Sequence, residues 1–214
     1  MRATVLTRQI LSSSSQKGDT IAGMVDTSTG TDVGRRRTVL ESALDTFAQA
    51  GYRRTSMDVI ARAARISRPG LYFLFDSKEA LFREAAAHVL TQDLAAIEQL
   101  LADDTRPIAD RLLDAFDRWA GRYVGPMVRD VSAVIADNPE LLDDTAREAP
   151  ARFEAMVTAA ISDHCEAAAD VARTLTSVSV GLKHQVDTRD EYRARLEVAI
   201  RLVLRAAATV DAAG

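Results

Sequence analysis

The sequence predicts an all-α protein, and three observations carry that expectation. Apolar residues recur at three- and four-residue intervals in successive blocks from Val39 onward. No alternating β-branched run of strand length interrupts them, and aromatics make up 5% of the 214 residues while Ala and Leu abound. Residue types that start and stop helices fall between the blocks. With 47% hydrophobic residues the chain can bury a substantial core, as one large or two small domains.

The elements follow in order. Ser12 to Ser15, the Thr/Ser/Gly cluster around Thr27 to Thr31 and scattered single charges give no periodic apolar face, so residues 1–34 are expected to be a disordered tail. Met24 within it offers a second initiation point. Val39, Leu40, Ala43, Leu44 and Phe47 form the stripe of a first helix, ended by Gly51, a natural left-handed stop. Thr55, three residues before Asp58, is expected to start a second helix, with Met57, Ile60, Ala61 and Ala64 at helical spacing. Ile66 and Ser67 interrupt. Ser67 is expected to cap a third, short helix carrying Leu71 and Phe75, where Pro69 lies in the first turn and loses no intrahelical bond. Asp76 with Glu79 repeats the box-like spacing and opens a longer helix with Leu81, Phe82, Ala85, Ala86 and Val89.

Two short helices joined by a tight break over about residues 56–75 are the layout of a helix-turn-helix, a size that suits a DNA major groove. Charge placement agrees. The net charge is −4, yet Arg35 to Leu90 holds ten Lys/Arg against six Asp/Glu, whereas Thr91 to Gly214 holds fourteen against twenty-two. The basic half is the helix-turn-helix half.

The run from Val39 to Phe82, with Phe47, Gly51-Tyr52, Thr55-Ser56, Ile60-Ala61, Ala64, Ser67, Leu71-Tyr72, Phe75 and Lys78, resembles the N-terminal DNA-binding domain of TetR-family transcriptional regulators. The resemblance implies a homodimer of all-α subunits, each with a three-helix helix-turn-helix domain (residues 35–90) followed by a helical-bundle ligand-binding and dimerisation domain (residues 91–214). It implies as partners a double-stranded palindromic DNA operator and a small-molecule effector, and action as a repressor that the effector releases. Two departures stand out. Arg65 occupies the turn where the family usually places glycine, and Pro69 and Leu74 stand where Gly and His are frequent, so the family's operator sequences do not transfer.

Candidate DNA contacts can be assigned by chemistry. Thr55, Ser56 and Ser67 at helix N-termini offer hydroxyls and N–H groups to phosphate oxygens. Arg68 suits a guanine edge, which a guanidinium grips at O6 and N7 together, and suits a phosphate nearly as well. Pro69, Gly70 and Phe73 could meet thymine methyls or sugar edges. For Tyr72 and Lys78 the resemblance implies phosphate contacts. Arg35, Arg36 and Arg37 could reach a phosphate or a minor groove, with a solvated basic helix start as the alternative. Arg53, Arg54, Arg62 and Arg65 read as a solvated face.

After residue 100 the chain reads as a bundle. Ile108, Leu112, Phe116, Trp119 and Tyr123 make one stripe, ended by Gly125-Pro126, and Asn138-Pro139 separates a short helix from a longer one carrying Phe153, Met156, Val157, Ala160, Ile161 and His164. Phe116, Trp119, Tyr123, Met127, Phe153, Met156 and His164 are the candidate effector pocket, with ordinary core packing as the competing reading. Two last helices, about 171–185 and 189–210, carry Leu175, Val178 and Leu182, then Leu196, Ile200, Val203 and Leu204. These seven are the candidate dimer interface, with Ser177, Ser179 and Gly181 permitting close approach.

An enzyme is not expected. His88, His164 and His184 lie on different predicted helices, there is no HExxH, no phosphate-cradling glycine loop and no spaced cysteine set. No cofactor or metal is implied. Cys165 is the single cysteine, which excludes an internal disulfide and reads as an inert buried thiol. A signal peptide needs an apolar core of about seven or more residues and a membrane span about twenty, and neither run exists, so the protein is expected in the cytoplasm. An interaction module built on helix-turn-helix packing without DNA is the alternative class, with a helical-bundle enzyme behind it.

Overall fold

The computed structural model of the chain describes residues 27–124 and 141–211. Among them are eight α-helices, one 3-10 turn and no strand: α1 Thr27–Ala50, α2 Met57–Ala63, α3 Arg68–Leu74, α4 Lys78–Leu101, α5 Ile108–Trp119, the 3-10 turn Gly121–Tyr123, α6 Asp144–Ile161, α7 Ala168–Gln185 and α8 Arg189–Asp211. α1 begins eight residues upstream of position 35, so the Thr/Ser/Gly cluster at 27–31 is helical here rather than part of a tail. Residues 1–26, Gly125-Pro126, Met127 and Asn138-Pro139 lie outside the described residues.

Local chemistry accounts for the helix ends, with two corrections. Gly51 has φ 80°, the left-handed geometry that stops α1. Ser56, not Thr55, caps α2, its hydroxyl accepting from the Val59 N–H. Ser67 caps α3 as expected. At α4 the cap is Ser77, whose Oγ accepts the Ala80 N–H at 3.1 Å, rather than Asp76. In both cases the residue one position later has the extended backbone that aims its oxygen at the helix end.

α5 ends at Trp119, four residues before Tyr123, because the chain turns at Gly121. A Cβ there would lie 2.4 Å from Asp117 Oδ1 and 2.9 Å from the Tyr192 ring, so only glycine lets the backbone pass.

Two cores result, and α4 belongs to both. The N-terminal one gathers Val39, Ala43, Phe47, Tyr52, Ile60, Leu71, Phe75, Leu81 and Phe82. Its rings pack edge to face, Phe47 and Tyr52 lying 5.2 and 5.0 Å from Phe82. The second core takes Leu94, Ile97 and Leu101 from the far half of α4 and adds Leu112, Phe116, Phe153, Val157, Leu175, Tyr192 and Leu196 from α5 to α8. Each such burial contributes about 1.5–3 kcal/mol. Polar ties reinforce the seams. Arg36 donates to both Glu84 oxygens and to the Leu74 carbonyl, joining α1 to α3 and α4. Asp117 holds Arg189 and Arg193, and Asp114 holds Arg106 and Arg193, which fixes α5 against α8.

Candidate functional site

The turn between α2 and α3 decides how α3 is presented. α2 closes in a Schellman arrangement: the Arg65 N–H donates to the Arg62 carbonyl at 3.1 Å and the Ile66 N–H to the Ala61 carbonyl at 2.9 Å. Its left-handed position is Arg65, at φ 56°, among the described residues the one non-glycine with positive φ. An L side chain there costs about 1–2 kcal/mol, so the turn holds stored strain where glycine would be relaxed.

From that turn α3 projects outward. It buries Leu71 completely and Phe75, its C-cap, almost so, while Arg68, Pro69, Tyr72 and Phe73 face solvent. Phe73 is 83% exposed and Tyr72 41%. For a phenylalanine that exposure has no folding benefit, since its apolar area remains in water. Ser67 Oγ accepts the Gly70 N–H at 3.1 Å, and a Cβ on Gly70 would lie 3.0 Å from that oxygen and 3.3 Å from Arg35 Nη2. Glycine at 70 therefore protects the cap and leaves Arg35 beside α3. Arg68 is held by Asp58, Nε to Oδ1 at 3.0 Å, with its guanidinium 5.7 Å from the Tyr72 ring. A base or phosphate must compete with that exposed pair, which is a weak constraint.

Two expected contacts read differently in the structure. Thr55 is 2% exposed and its hydroxyl donates to the Gly51 carbonyl at 2.8 Å, so the loop after α1 turns it inward and its side chain is spent on the fold. Ser56, next to it, is exposed. Lys78 is half-buried: Nζ donates to the Tyr52 carbonyl at 3.2 Å and lies 4.2 Å from the Tyr52 ring. The Tyr52 phenol donates to Glu79 at 3.2 Å, and burial, then Glu79, pushes it up to about 12. Lys78 thus bolts the loop after α1 to the start of α4, with two ammonium protons left for a phosphate.

A cavity of about 410 Å³ opens between the two cores. Leu44 and Phe47 of α1 and Phe82, Ala86 and Leu90 of α4 form one wall; Trp119, Tyr123, Pro150, Thr176, Ser179 and Lys183 form the other. Of the expected pocket residues, Trp119 and Tyr123 line it. Phe116 and Phe153 are fully buried and packed edge to face at 5.0 Å, Met156 packs against the same core, and His164 is exposed beyond the end of α6. The stripe reading found the right face of α5 but could not tell cavity from core, because both demand the same apolar spacing. It missed Lys183 and Thr176, for which a polar residue inside an apolar helical face was the available signal.

The expected dimer residues divide likewise. Leu175, Leu182, Leu196 and Ile200 are buried within one subunit, and Val178, Val203 and Leu204 pack partly against that core. The apolar side chains that face solvent are Val180 on α7 and Val198 and Leu202 on α8, at 54%, 58% and 61% exposure. Among the described residues no cluster of His, Cys, Asp or Glu could hold a metal, and no helix is long and apolar enough to cross a membrane.

Residues 39–85 match the family model described as bacterial regulatory proteins, tetR family. Over 75 residues the chain is 35% identical to the HTH-type transcriptional regulator RutR of Escherichia coli, covering 35% of either chain. Over 90 residues it is 31% identical to the HTH-type nicotine-responsive transcriptional repressor HdnoR of Paenarthrobacter nicotinovorans, covering 41% of this chain and 45% of that one. These matches span less than half the length of the curated relatives. In fold the likeness runs further. A TetR-family regulator structure from Mesorhizobium loti superposes with TM-score 0.64 at 18% identity, covering 81% of this chain and 96% of that one, and Escherichia coli NemR in its reduced form with 0.61 at 17%, covering 79% and 96%. Over residues 39–85 the helix-turn-helix region of this chain thus carries the pattern of the tetR family of bacterial regulatory proteins.

Proposed function

We propose that the chain is a homodimeric DNA-binding transcriptional repressor, whose paired α3 helices enter successive major grooves of a palindromic operator and which a small molecule in the interior cavity releases. The observation that carries the reading is the outward face of α3, where a capped helix bares Tyr72 and Phe73 beside Arg68 and Arg35. Such a surface offers a guanidinium to a guanine edge or phosphate and a ring to thymine methyls. Ser56, Ser67, Pro69 and Lys78 frame it, and the Thr55 side chain plays no direct part. The names of RutR and HdnoR, regulators both, support the same assignment.

Dimerisation places two such helices about 34 Å apart, one DNA turn. Val198 and Leu202 on α8 form the exposed apolar ridge suited to it, and at Gly181 on α7 an added Cβ would meet only Gln185 Nε2, at 3.9 Å. The cavity touches both the α1–α4 wall and the bundle, so a ligand there would bias how the two cores sit. A coupling of about 1–3 kcal/mol changes operator occupancy by about 5–150-fold. Such a regulator works in the cytoplasm, and no catalytic group enters the scheme.

The exposed Phe73 ring favours one second reading, a module that docks another protein through α3. Fluorescence anisotropy on DNA flanking the chain's own gene separates them. The repressor reading expects specific binding that falls steeply from low to moderate salt, weakens in Tyr72→Phe and Phe73→Ala, and is lost with dimerisation in Leu202→Glu. If random DNA also fails to bind at low salt, the docking module takes its place.

A further inference from the structure

The polar groups around the cavity are unequally spent. The Tyr123 phenol donates to Asp93 at 3.1 Å. Ser179 Oγ and Tyr192 Oη share a hydrogen bond at 2.7 Å, and Tyr192 also reaches the Phe116 carbonyl at 3.4 Å, which makes Tyr192 the donor there and Ser179 its donor in turn. Two groups remain. Thr176 Oγ1 is buried without a hydrogen-bond partner, although a helical threonine ordinarily bonds back to the preceding turn. Lys183 is half-buried with no carboxylate in ion-pair range among the described residues, and its ammonium lies 5.9 Å from the Tyr123 ring.

Both unspent groups are donors on the same face of α7, opposite Leu44, Phe47, Phe82 and Ala86. An ammonium facing an apolar cavity without a counter-ion is costly, and desolvation holds the Lys183 pKa below the ordinary lysine value. An entering carboxylate would remove that cost and bring acceptors, while a cationic ligand would add to it.

We infer that the cavity takes an amphipathic monoanion, its carboxylate on Lys183 and Thr176 and its apolar body along the α1–α4 wall. The inference rests on the effector reading above and adds the ligand's charge. Through that contact the ligand would tie α7 to the N-terminal core.

The chain's single tryptophan, Trp119, lines the cavity and reports on it. The experiment titrates Trp119 fluorescence in the full chain with octanoate, octanol and octylammonium below their micelle concentrations, in wild type, Lys183→Met, Lys183→Arg and Thr176→Val. Octanoate is expected to bind wild type tightest, to weaken about tenfold or more in Lys183→Met, to weaken less in Thr176→Val and to recover in Lys183→Arg, with octanol unchanged across the set. Octanoate binding no better than octanol, or indifferent to Lys183→Met, overturns the anion inference and leaves the cavity reading standing. If no probe of any charge perturbs Trp119, both fall. Circular dichroism melts of each variant ensure that a lost signal is not lost folding.

Discussion

Phe73 and Phe153 sit in helices of the same chain, one 83% exposed and the other fully buried, and the two regions they represent follow different rules. In the helix-turn-helix region, meaning arises from neighbours in sequence: Ser56, Ser67 and Ser77 cap, Gly51 and Arg65 turn, and one face of α3 packs through Leu71 while the other is bare. In the bundle, meaning arises from partners far away in sequence. Tyr192 meets Phe116 and Ser179, and Asp117 meets Arg189 and Arg193. A short-range site can be read from a dozen residues. A bundle residue shows its stripe but not whether core, cavity or partner lies opposite.

The sharpest way to break this contrast is to truncate the two phenylalanines. Phe153→Ala, which removes the ring stacked on Trp119 at 4.7 Å and set edge-on to Phe116, is expected to destabilise by about 3–5 kcal/mol in urea unfolding. A loss below 1 kcal/mol would mean the second core does not depend on that packing. Next, Gly121→Ala forces a methyl onto Asp117 and the Tyr192 ring and is expected to lower stability by about 1–3 kcal/mol, whereas Gly34→Ala, inside α1 with nothing within 4 Å, should raise it by about 0.5–1 kcal/mol.

Three variants test the local rule. Ser67→Ala removes the cap of α3 and is expected to cost about 1 kcal/mol, with a larger proportional loss in DNA affinity because α3 is the presented helix. Arg65→Gly should act in the opposite sense, raising the urea midpoint by the equivalent of roughly 0.5–1 kcal/mol as positive-φ strain is relieved against glycine's greater unfolded entropy. A lowered midpoint would show that the Arg65 side chain outweighs its backbone. The smallest stability effect is expected for Phe73→Ser, within about 0.5 kcal/mol of wild type, yet operator affinity measured by anisotropy should fall. Equal affinity would remove Phe73 from the interface.

Legibility followed the same division. The all-α fold, the helix-turn-helix over about 56–75 and the Ser67 cap were readable because hydroxyl caps, glycine turns and apolar spacing act over one or two turns of chain. The exchange of Thr55 for Ser56 and of Asp76 for Ser77 shows the limit: neighbouring capping residues are chemically equivalent until the backbone fixes which one points at the helix end. For the cavity, Trp119 and Tyr123 were read from the stripe while Lys183 and Thr176 were passed over, since a lysine on a helix is ordinarily solvated and it is the facing wall that half-buries this one. Leu175, Leu196 and Ile200 show the converse, a stripe suited to a partner that the subunit's own core already uses.

The succession of helices, the Gly51 stop, the Ser67 cap and the split between a basic N-terminal and an acidic C-terminal half are set by the amino-acid sequence alone, because each depends on residues adjacent along the chain or on charge counts. Packing between helices decided which side of each stripe became core, where the cavity opened, that Thr55 and Lys78 serve the fold, and that Val198 and Leu202 stay exposed on the single subunit. The physical reason is that burial is a property of pairs of surfaces: a helix dictates which of its residues share a face, and only packing against other helices dictates what that face meets.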